Sequence, residues 1–314
     1  MVRAVNGVTL SLERGRTMGL VGESGSGKTV TALTTLGLTR SEQTEIAGEV
    51  IFDGIDLLTR PDSELRTIRG RRVAMVFQDP LSSLHPMYRV GWQMAEAIRA
   101  HERVGKKGAR ARTVELLRIV GIPSPEARVD AYPHELSGGM RQRVVIAMAL
   151  ALGPDLLIAD EPTSALDVTV QSQILELLSR LQSETGMALL LVSHDLGVIA
   201  EQSDEIVVMY AGRVVEQGTR DDVIGAAIHP YTRGLLDSIP HVDGPRAKQL
   251  TPIPGSPPDA VLLPSGCAFH PRCAHAHASC EERVPVLSRV GSDHLVACPV
   301  MAPTGSLTLD TPPR

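Results

Sequence analysis

The chain has 314 residues, 43% of them hydrophobic and 21% charged, with mean hydropathy near zero, enough for one large domain and a smaller one. A formal charge of −5 excludes a strong overall pull toward nucleic acid or an anionic membrane. No run approaches the ~18 apolar residues that a membrane-spanning helix requires, and the best, residues 144–152, is nine long.

The opening segment, MVRAVNGVTLSLERG, lacks the apolar core of a secretory signal and reads as strand. A cytoplasmic chain is expected, with membrane work left to a partner. Apolar runs of strand length stand at residues 8–12, 17–21, 49–52, 72–77, 156–159, 188–192 and 205–209. Helical periods lie between them: Ile174, Leu177, Leu178 and Leu181 are spaced by three and four. This alternation predicts an α/β fold with a largely parallel sheet. From about residue 80 to 150 the signals are helical only, at 90–101, 109–120 and 139–150, which predicts an all-helical insert. Proline makes up 13 of the last 75 residues, excluding long regular elements there. A small irregular appendage with a disordered tail is expected.

Between the second apolar run and a helical stretch lies Gly22-Glu23-Ser24-Gly25-Ser26-Gly27-Lys28-Thr29, the strand–loop–helix setting of a phosphate-binding loop. Its glycines let the N–H groups of residues 24–29 curl around phosphates, and the helix N-terminus adds partial positive charge. Lys28 is then placed for the β- and γ-phosphates and the Thr29 hydroxyl for Mg²⁺. Candidate ATP-binding residues are Gly22, Ser24, Gly25, Ser26, Gly27, Lys28, Thr29 and Val30. A functionless Gly/Ser turn is the bland alternative, and the flanking strand and helix argue against it.

About 130 residues on, an apolar run ends in Asp160-Glu161. Asp160 suits the Mg²⁺ shell and Glu161 suits polarising an attacking water. Such a strand end is common alone, and the preceding loop is what makes it informative. Leu136-Ser137-Gly138-Gly139-Met140-Arg141-Gln142 opens another helix with a serine cap and two glycines, a second phosphate-facing terminus. Two anion half-sites in one chain make sense if ATP is sandwiched between two subunits. Read alone, Ser-Gly-Gly is a capped turn.

Six motifs thus stand in order: the phosphate loop, Gln78 in Phe-Gln-Asp-Pro, Leu136-to-Gln142, Leu156-Leu-Ile-Ala-Asp-Glu-Pro, Ser164-Ala-Leu-Asp167 and Ser193-His194-Asp195. On them, residues 5–225 resemble the ABC ATPase family. The resemblance implies a P-loop NTPase core of α/β type within an ATP-binding domain at 1–228, with an inserted helical subdomain at about 84–150. It implies a catalytic set of Glu161, His194 and Gln78, with His194 against the γ-phosphate. Thr29, Gln78 and Asp160 would hold Mg²⁺. Ser137, Gly138, Gly139, Gln142 and Asp167 would meet ATP held by a second ATPase subunit, and the helical subdomain would receive a membrane subunit. The family also has an adenine-stacking aromatic upstream of Arg3-Ala-Val-Asn-Gly. No aromatic precedes Phe52 here, so no stacking residue is assigned.

His229-Pro-Tyr-Thr-Arg-Gly-Leu-Leu resembles the segment opening the C-terminal extension of oligopeptide and dipeptide importer ATPases, which would here span 229–314. All four cysteines, Cys267, Cys273, Cys280 and Cys298, fall within 32 residues, in a spacing similar to that subfamily's. In a compartment that disfavours disulfides this clustering suggests metal. Zinc favours short paired knuckles, which are missing. All-thiolate ligation suits a [4Fe–4S] cluster, and the resemblance points the same way. His270, His275, His277 and His294 keep a mixed Cys/His zinc site open, and plain structural thiols are a third reading.

The function expected is that of an ATPase subunit driving peptide import from the cytoplasmic face of the cell membrane. Its partners would be a second ATPase subunit, two permease subunits and, indirectly, an extracytoplasmic peptide-binding protein, with no nucleic acid. Nickel and glutathione importers share the extension and remain an alternative. DNA-repair ATPases of the family insert long coiled coils between the first and third motifs, whereas here that gap is about 110 residues. Ribosomal types carry two cassettes, and this chain carries one. A scaffold with a dead loop would not need Lys28, Asp160, Glu161 and His194 together.

Overall fold

The computed structural model describes residues 2–164, 166–239 and 252–301, with the backbone of Leu307–Thr308. The first strands are β1 (Thr17–Val21), β2 (Ile51–Phe52), β3 (Ile55–Asp56) and β4 (Val73–Val76). After them come β5 (Leu156–Asp160), β6 (Ala188–Ser193), β7 (Glu205–Tyr210) and β8 (Arg213–Thr219). Short strands β9 (Ser288–Arg289) and β10 (Leu295–Val296) lie beyond, and β11 (Leu307–Thr308) pairs with β9. The helices begin with α1 (Lys28–Thr35), α2 (Asp62–Ile68), α3 (Pro80–Ser83) and α4 (Val90–His101). They continue with α5 (Lys106–Ile119), α6 (Pro125–Arg128), α7 (Gly138–Ala149) and α8 (Val168–Thr185). The last are α9 (Leu196–Gln202), α10 (Arg220–Gly225), α11 (Pro230–Asp237) and α12 (Ala278–Glu282).

Contacts divide the chain into two compact units. The first comprises Met1–Ser11, Thr17–Thr31 and Leu191–Arg314. In it β1 runs parallel to β7, with Met18 opposite Glu205 and Val21 opposite Val208. Every residue of β1 is buried, as is β7 from Ile206 to Tyr210, which is why both read as continuous apolar runs instead of alternating ones. A tight turn returns the chain as β8, antiparallel to β7, and β8 carries β10. The sheet is therefore mixed, where the sequence predicted a largely parallel one. Residues 213–219 were missed because Arg213, Glu216 and Gln217 break up the apolar run, although Glu216 is fully buried.

The second unit comprises Leu12–Arg16 and Ala32–Leu190. Its strands β4 and β5 are parallel, Val73 opposite Leu156 and Val76 opposite Ala159. Every regular element between them is helical, as expected. Helix α8 shows why periodicity succeeds there. The Asp167 carboxylate accepts the Val170 N–H at 3.0 Å as N-cap, and Ile174, Leu177, Leu178 and Leu181 line its buried face.

Residues 8–12 alternate half-buried and exposed, as a strand would, but join no ladder among the described residues. Alternation reports a half-buried extended segment and cannot report a pairing partner. The tail expected to be disordered lies mostly outside the described residues.

Candidate functional site

In the first unit, β1 delivers the chain into the glycine-rich loop, whose end is the first turn of α1. Ser26 and Lys28 are buried, at 4% and 5% exposure, while Ser24, Gly25 and Thr29 lie on the surface. The Lys28 ammonium donates to the Gly22 carbonyl at 2.6 Å and the Glu23 carbonyl at 3.0 Å, so the loop wraps its own cation. The Gly212 N–H donates to the Ser26 carbonyl at 2.9 Å, tying the loop to the β7–β8 turn. His194 is exposed just beyond β6. Next to it Asp195 caps α9, accepting from the Gly197 N–H at 2.8 Å.

In the second unit, β5 ends in Asp160, 2% exposed, and Glu161 follows it. Glu161 adopts φ +46°, a left-handed conformation that costs a non-glycine residue energy and concentrates at functional sites. Its carboxylate Oε2 accepts the Gln78 side-chain amide at 2.9 Å. The structure thus brings together two residues 83 positions apart that the motifs had singled out separately. Ser137 Oγ accepts the Met140 N–H at 3.3 Å as N-cap of α7, leaving Ser137 and Gly138 exposed at that terminus. Gln142 is different: at 1% exposure it lies inside the unit, not on the surface with Ser137. Asp167 heads α8, as described above.

From the first turn of α4, the Gln93 side chain accepts the His85 N–H and donates to the carbonyls of His85 and Tyr88. That clamp presents an apolar surface: Met87 is 74% exposed, and Tyr88 and Trp92 stack with centroids 4.4 Å apart.

The C-terminal part is organised by Glu216 of β8. Its carboxylate accepts the N–H groups of Ile228 and His229 at 2.7 and 3.1 Å and lies 2.8 Å from His294 Nε2. His229 Nδ1 in turn accepts the Tyr231 N–H, capping α11. Complete burial lowers the His229 pKa from 6.5 to about 4, with the nearby Glu216 carboxylate opposing in part, so the ring is neutral at pH 7.

Cys267, Cys273, Cys280 and Cys298 all line one small cavity, closed by Phe269 and His270, and all four are free thiols. Burial, and then the other three cysteines, push the Cys267 pKa up. Among the described residues no three His, Cys, Asp or Glu side chains stand in a metal-holding arrangement, so the expected cluster has no support from the side-chain geometry.

Strand, glycine-rich loop and helix with Lys28 and Thr29 define a P-loop nucleotide-binding protein. The family profile described as ABC transporter matches residues 5–164, and that of the oligopeptide/dipeptide transporter C-terminal region matches residues 215–280. A probable peptide ABC transporter ATP-binding protein of Sinorhizobium fredii is 48% identical over 95% of this chain and 89% of its own length. The oligopeptide transport ATP-binding protein OppD of Bacillus subtilis is 48% identical over 94% of this chain and 83% of its own. A dimeric ATP-binding cassette solved in a post-hydrolysis state with ADP and phosphate superposes with a TM-score of 0.62. It is 30% identical and covers 69% of this chain and 90% of that one. The chain belongs to the ABC transporter family.

Sequence reasoning missed Glu23, Tyr231, Arg272 and Glu216 as parts of the architecture. Tyr231 was visible as a family marker, but nothing local ties it to the phosphate loop 208 residues earlier.

Proposed function

We propose that this chain is the ATP-binding and ATP-hydrolysing subunit of an importer that draws peptides across the cytoplasmic membrane. The observation that carries the reading is the succession, in one chain, of the ABC transporter profile at 5–164 and the oligopeptide/dipeptide transporter profile at 215–280. The ATP-binding domain would run from 1 to 228 and the extension from 229 to 314.

In the proposed reaction the N–H groups of residues 24–29 and Lys28 hold the phosphates. Thr29, Gln78 and Asp160, an oxygen-rich donor set of the kind magnesium prefers, would hold Mg²⁺, which neutralises phosphate charge. Glu161, oriented by its bond from Gln78, polarises the attacking water, and His194 lies against the γ-phosphate. Ser137, Gly138, Gly139 and Asp167 face the ATP of a second ATPase subunit, with Gln142 supporting that terminus from within. The exposed Met87, Tyr88 and Trp92 surface suits one of two permease subunits, so the protein sits at the cytoplasmic membrane face. No described helix is long and apolar enough to cross a membrane itself.

The four cysteines are proposed to ligate a structural [4Fe–4S] cluster, with zinc as the alternative; what supports this is one cavity lined by four thiols and no disulfide. Anaerobically purified protein should then be brown and hold roughly four irons and four sulfides per chain. A colourless protein with one tight zinc would overturn the cluster.

The transport reading is tested by uptake in cells carrying a chromosomal Glu161→Gln substitution. Labelled di- and oligopeptide uptake should be lost and nickel and glutathione uptake kept. The reverse pattern would move the protein to the alternative cargo.

A further inference from the structure

Glu23, the second residue of the phosphate loop, is gripped by residues from the far end of the chain. Its carboxylate takes two bonds from the Arg272 guanidinium, at 2.6 Å on Oε2 and 3.0 Å on Oε1. Its N–H donates to the Tyr231 hydroxyl at 2.7 Å. Its carbonyl accepts from the Lys28 ammonium.

Arg272 has little freedom. Its side chain is 5% exposed, and its Nε donates to the Pro254 carbonyl at 2.8 Å. The nitrogen that meets Oε2 also lies 3.3 Å from the Tyr210 hydroxyl. The guanidinium carbon is 5.8 and 5.9 Å from the Tyr210 and Phe269 ring centroids. A two-pronged bond of this kind fixes the plane and position of the carboxylate, which a lysine could not do.

Stability alone does not account for it. Apolar groups of similar volume commonly replace a buried ion pair without loss, and the neighbouring rings of Tyr210, Tyr231 and Phe269 already pack within 5.3 Å of one another. What the pair adds is placement. When Lys28 exchanges loop carbonyls for phosphate oxygens, Arg272 and Tyr231 keep the Glu23 peptide in place. A loop without them would have to be ordered at the expense of binding.

We propose that Arg272 is a positioning residue of the ATP site, fixing Glu23 and through it the loop that holds Lys28. Nucleotide affinity thereby depends on the cysteine-bearing segment, because Arg272 ends the 3-10 turn His270–Arg272 immediately before Cys273. The proposal rests on the reading of residues 22–29 as the phosphate cradle.

The test titrates full-length wild type, Arg272→Met, Arg272→Lys, Glu23→Gln and the Met/Gln double variant with a fluorescent ATP analogue, with melting followed in parallel. Arg272→Met and Glu23→Gln should each weaken binding about tenfold, an ordinary coupling between sites, and the double variant should lose little more. Arg272→Lys should fall between wild type and Arg272→Met. In the assembled complex KM for ATP should rise while kcat stays within about twofold, the pattern of lost binding and not of lost chemistry. Unchanged affinity in a folded Glu23→Gln protein overturns the proposal, and so do single-variant losses that simply multiply in the double variant. Should Arg272→Met fail to fold, Glu23→Gln decides alone, since Glu23 keeps 26% of its side chain exposed. Wild-type protein that bound no ATP would instead overturn the reading of the loop.

Discussion

Alanine substitutions at Gly22 and Gly25 separate two reasons for glycine in one phosphate loop. A Cβ built on Gly22 would stand 2.2 Å from the Met209 carbonyl oxygen and 2.8 Å from Ser26 Oγ. The first contact is backbone, fixed in β7 where Met209 pairs with Val214 of β8, so it cannot rotate away. Relieving it means opening loop from strand by roughly 1 Å in an interior packed like a crystal, which places Gly22→Ala near the upper end of the ~1–3 kcal/mol overpacking range. At Gly25 the same Cβ meets nothing within 4 Å, but the residue sits at φ +78°. An alanine there costs about 1–2 kcal/mol in the left-handed region, offset by about 0.4–1 kcal/mol of lost unfolded-state freedom. The net loss at Gly25 should stay near 1 kcal/mol. Function should diverge further, because Gly22 also supplies a carbonyl to Lys28 and a 1 Å misplacement can cost ~10²-fold in rate. Urea denaturation midpoints at constant m-value give the stabilities, and titration with a fluorescent ATP analogue gives the affinities. Equal losses at the two positions, or an undisturbed Gly22→Ala protein, would refute the steric reasoning.

Glu161→Gln should keep ATP binding and lower turnover in the assembled complex by ~10²–10⁴-fold, whereas Lys28→Ala should weaken nucleotide binding itself; near-normal hydrolysis by the Gln variant sinks the assignment. Ser137→Arg removes the cap of α7, at about 1 kcal/mol, and should abolish ATP-driven pairing of subunits while sparing binding at the chain's own loop. Hydrolysis in the complex that survives this change would count against the sandwiched site. His229 predicts a pH slope. Its folded pKa of about 4 lies below its ordinary 6.5, so the unfolded chain takes up the proton first as pH falls. Stability is fully present above pH 6.5 and declines toward pH 4 by up to about 3 kcal/mol. His229→Asn, which keeps a capping acceptor for α11 but does not titrate, should flatten that slope in denaturation curves at pH 4.5 and 7.

Much of this was legible because the signals are local. The helix Val90–His101 matches its periodicity residue for residue, since a stripe spaced by three and four needs only one helix and one apolar neighbour. The phosphate loop and Asp160-Glu161 were legible for the same reason: each is a contiguous string whose backbone geometry dictates its residues. Even the fact that four cysteines share one cavity could be expected from clustering within a short segment.

What escaped has a common physical form. The Glu23–Arg272 pair joins positions 249 apart, and Glu216 gathers Ile228, His229 and His294 around one carboxylate. On the sequence Glu23, Arg272 and Glu216 are ordinary polar positions, of a kind mostly found solvated. A buried charge is stable only when its partners arrive from elsewhere in the fold, so its presence inside leaves no periodic trace in its own segment. Strand β8 was lost in part for that reason: Glu216, one of the residues that break its apolar pattern, is the one that fastens the C-terminal segments to the sheet. Residues 8–12 err in the opposite direction, with the alternation of a strand and no ladder to join among the described residues. Neither pattern could report its partners: Glu216 is buried without an apolar trace, residues 8–12 alternate without a pairing strand among the described residues, and both outcomes are set by what packs on a segment, not by the segment itself.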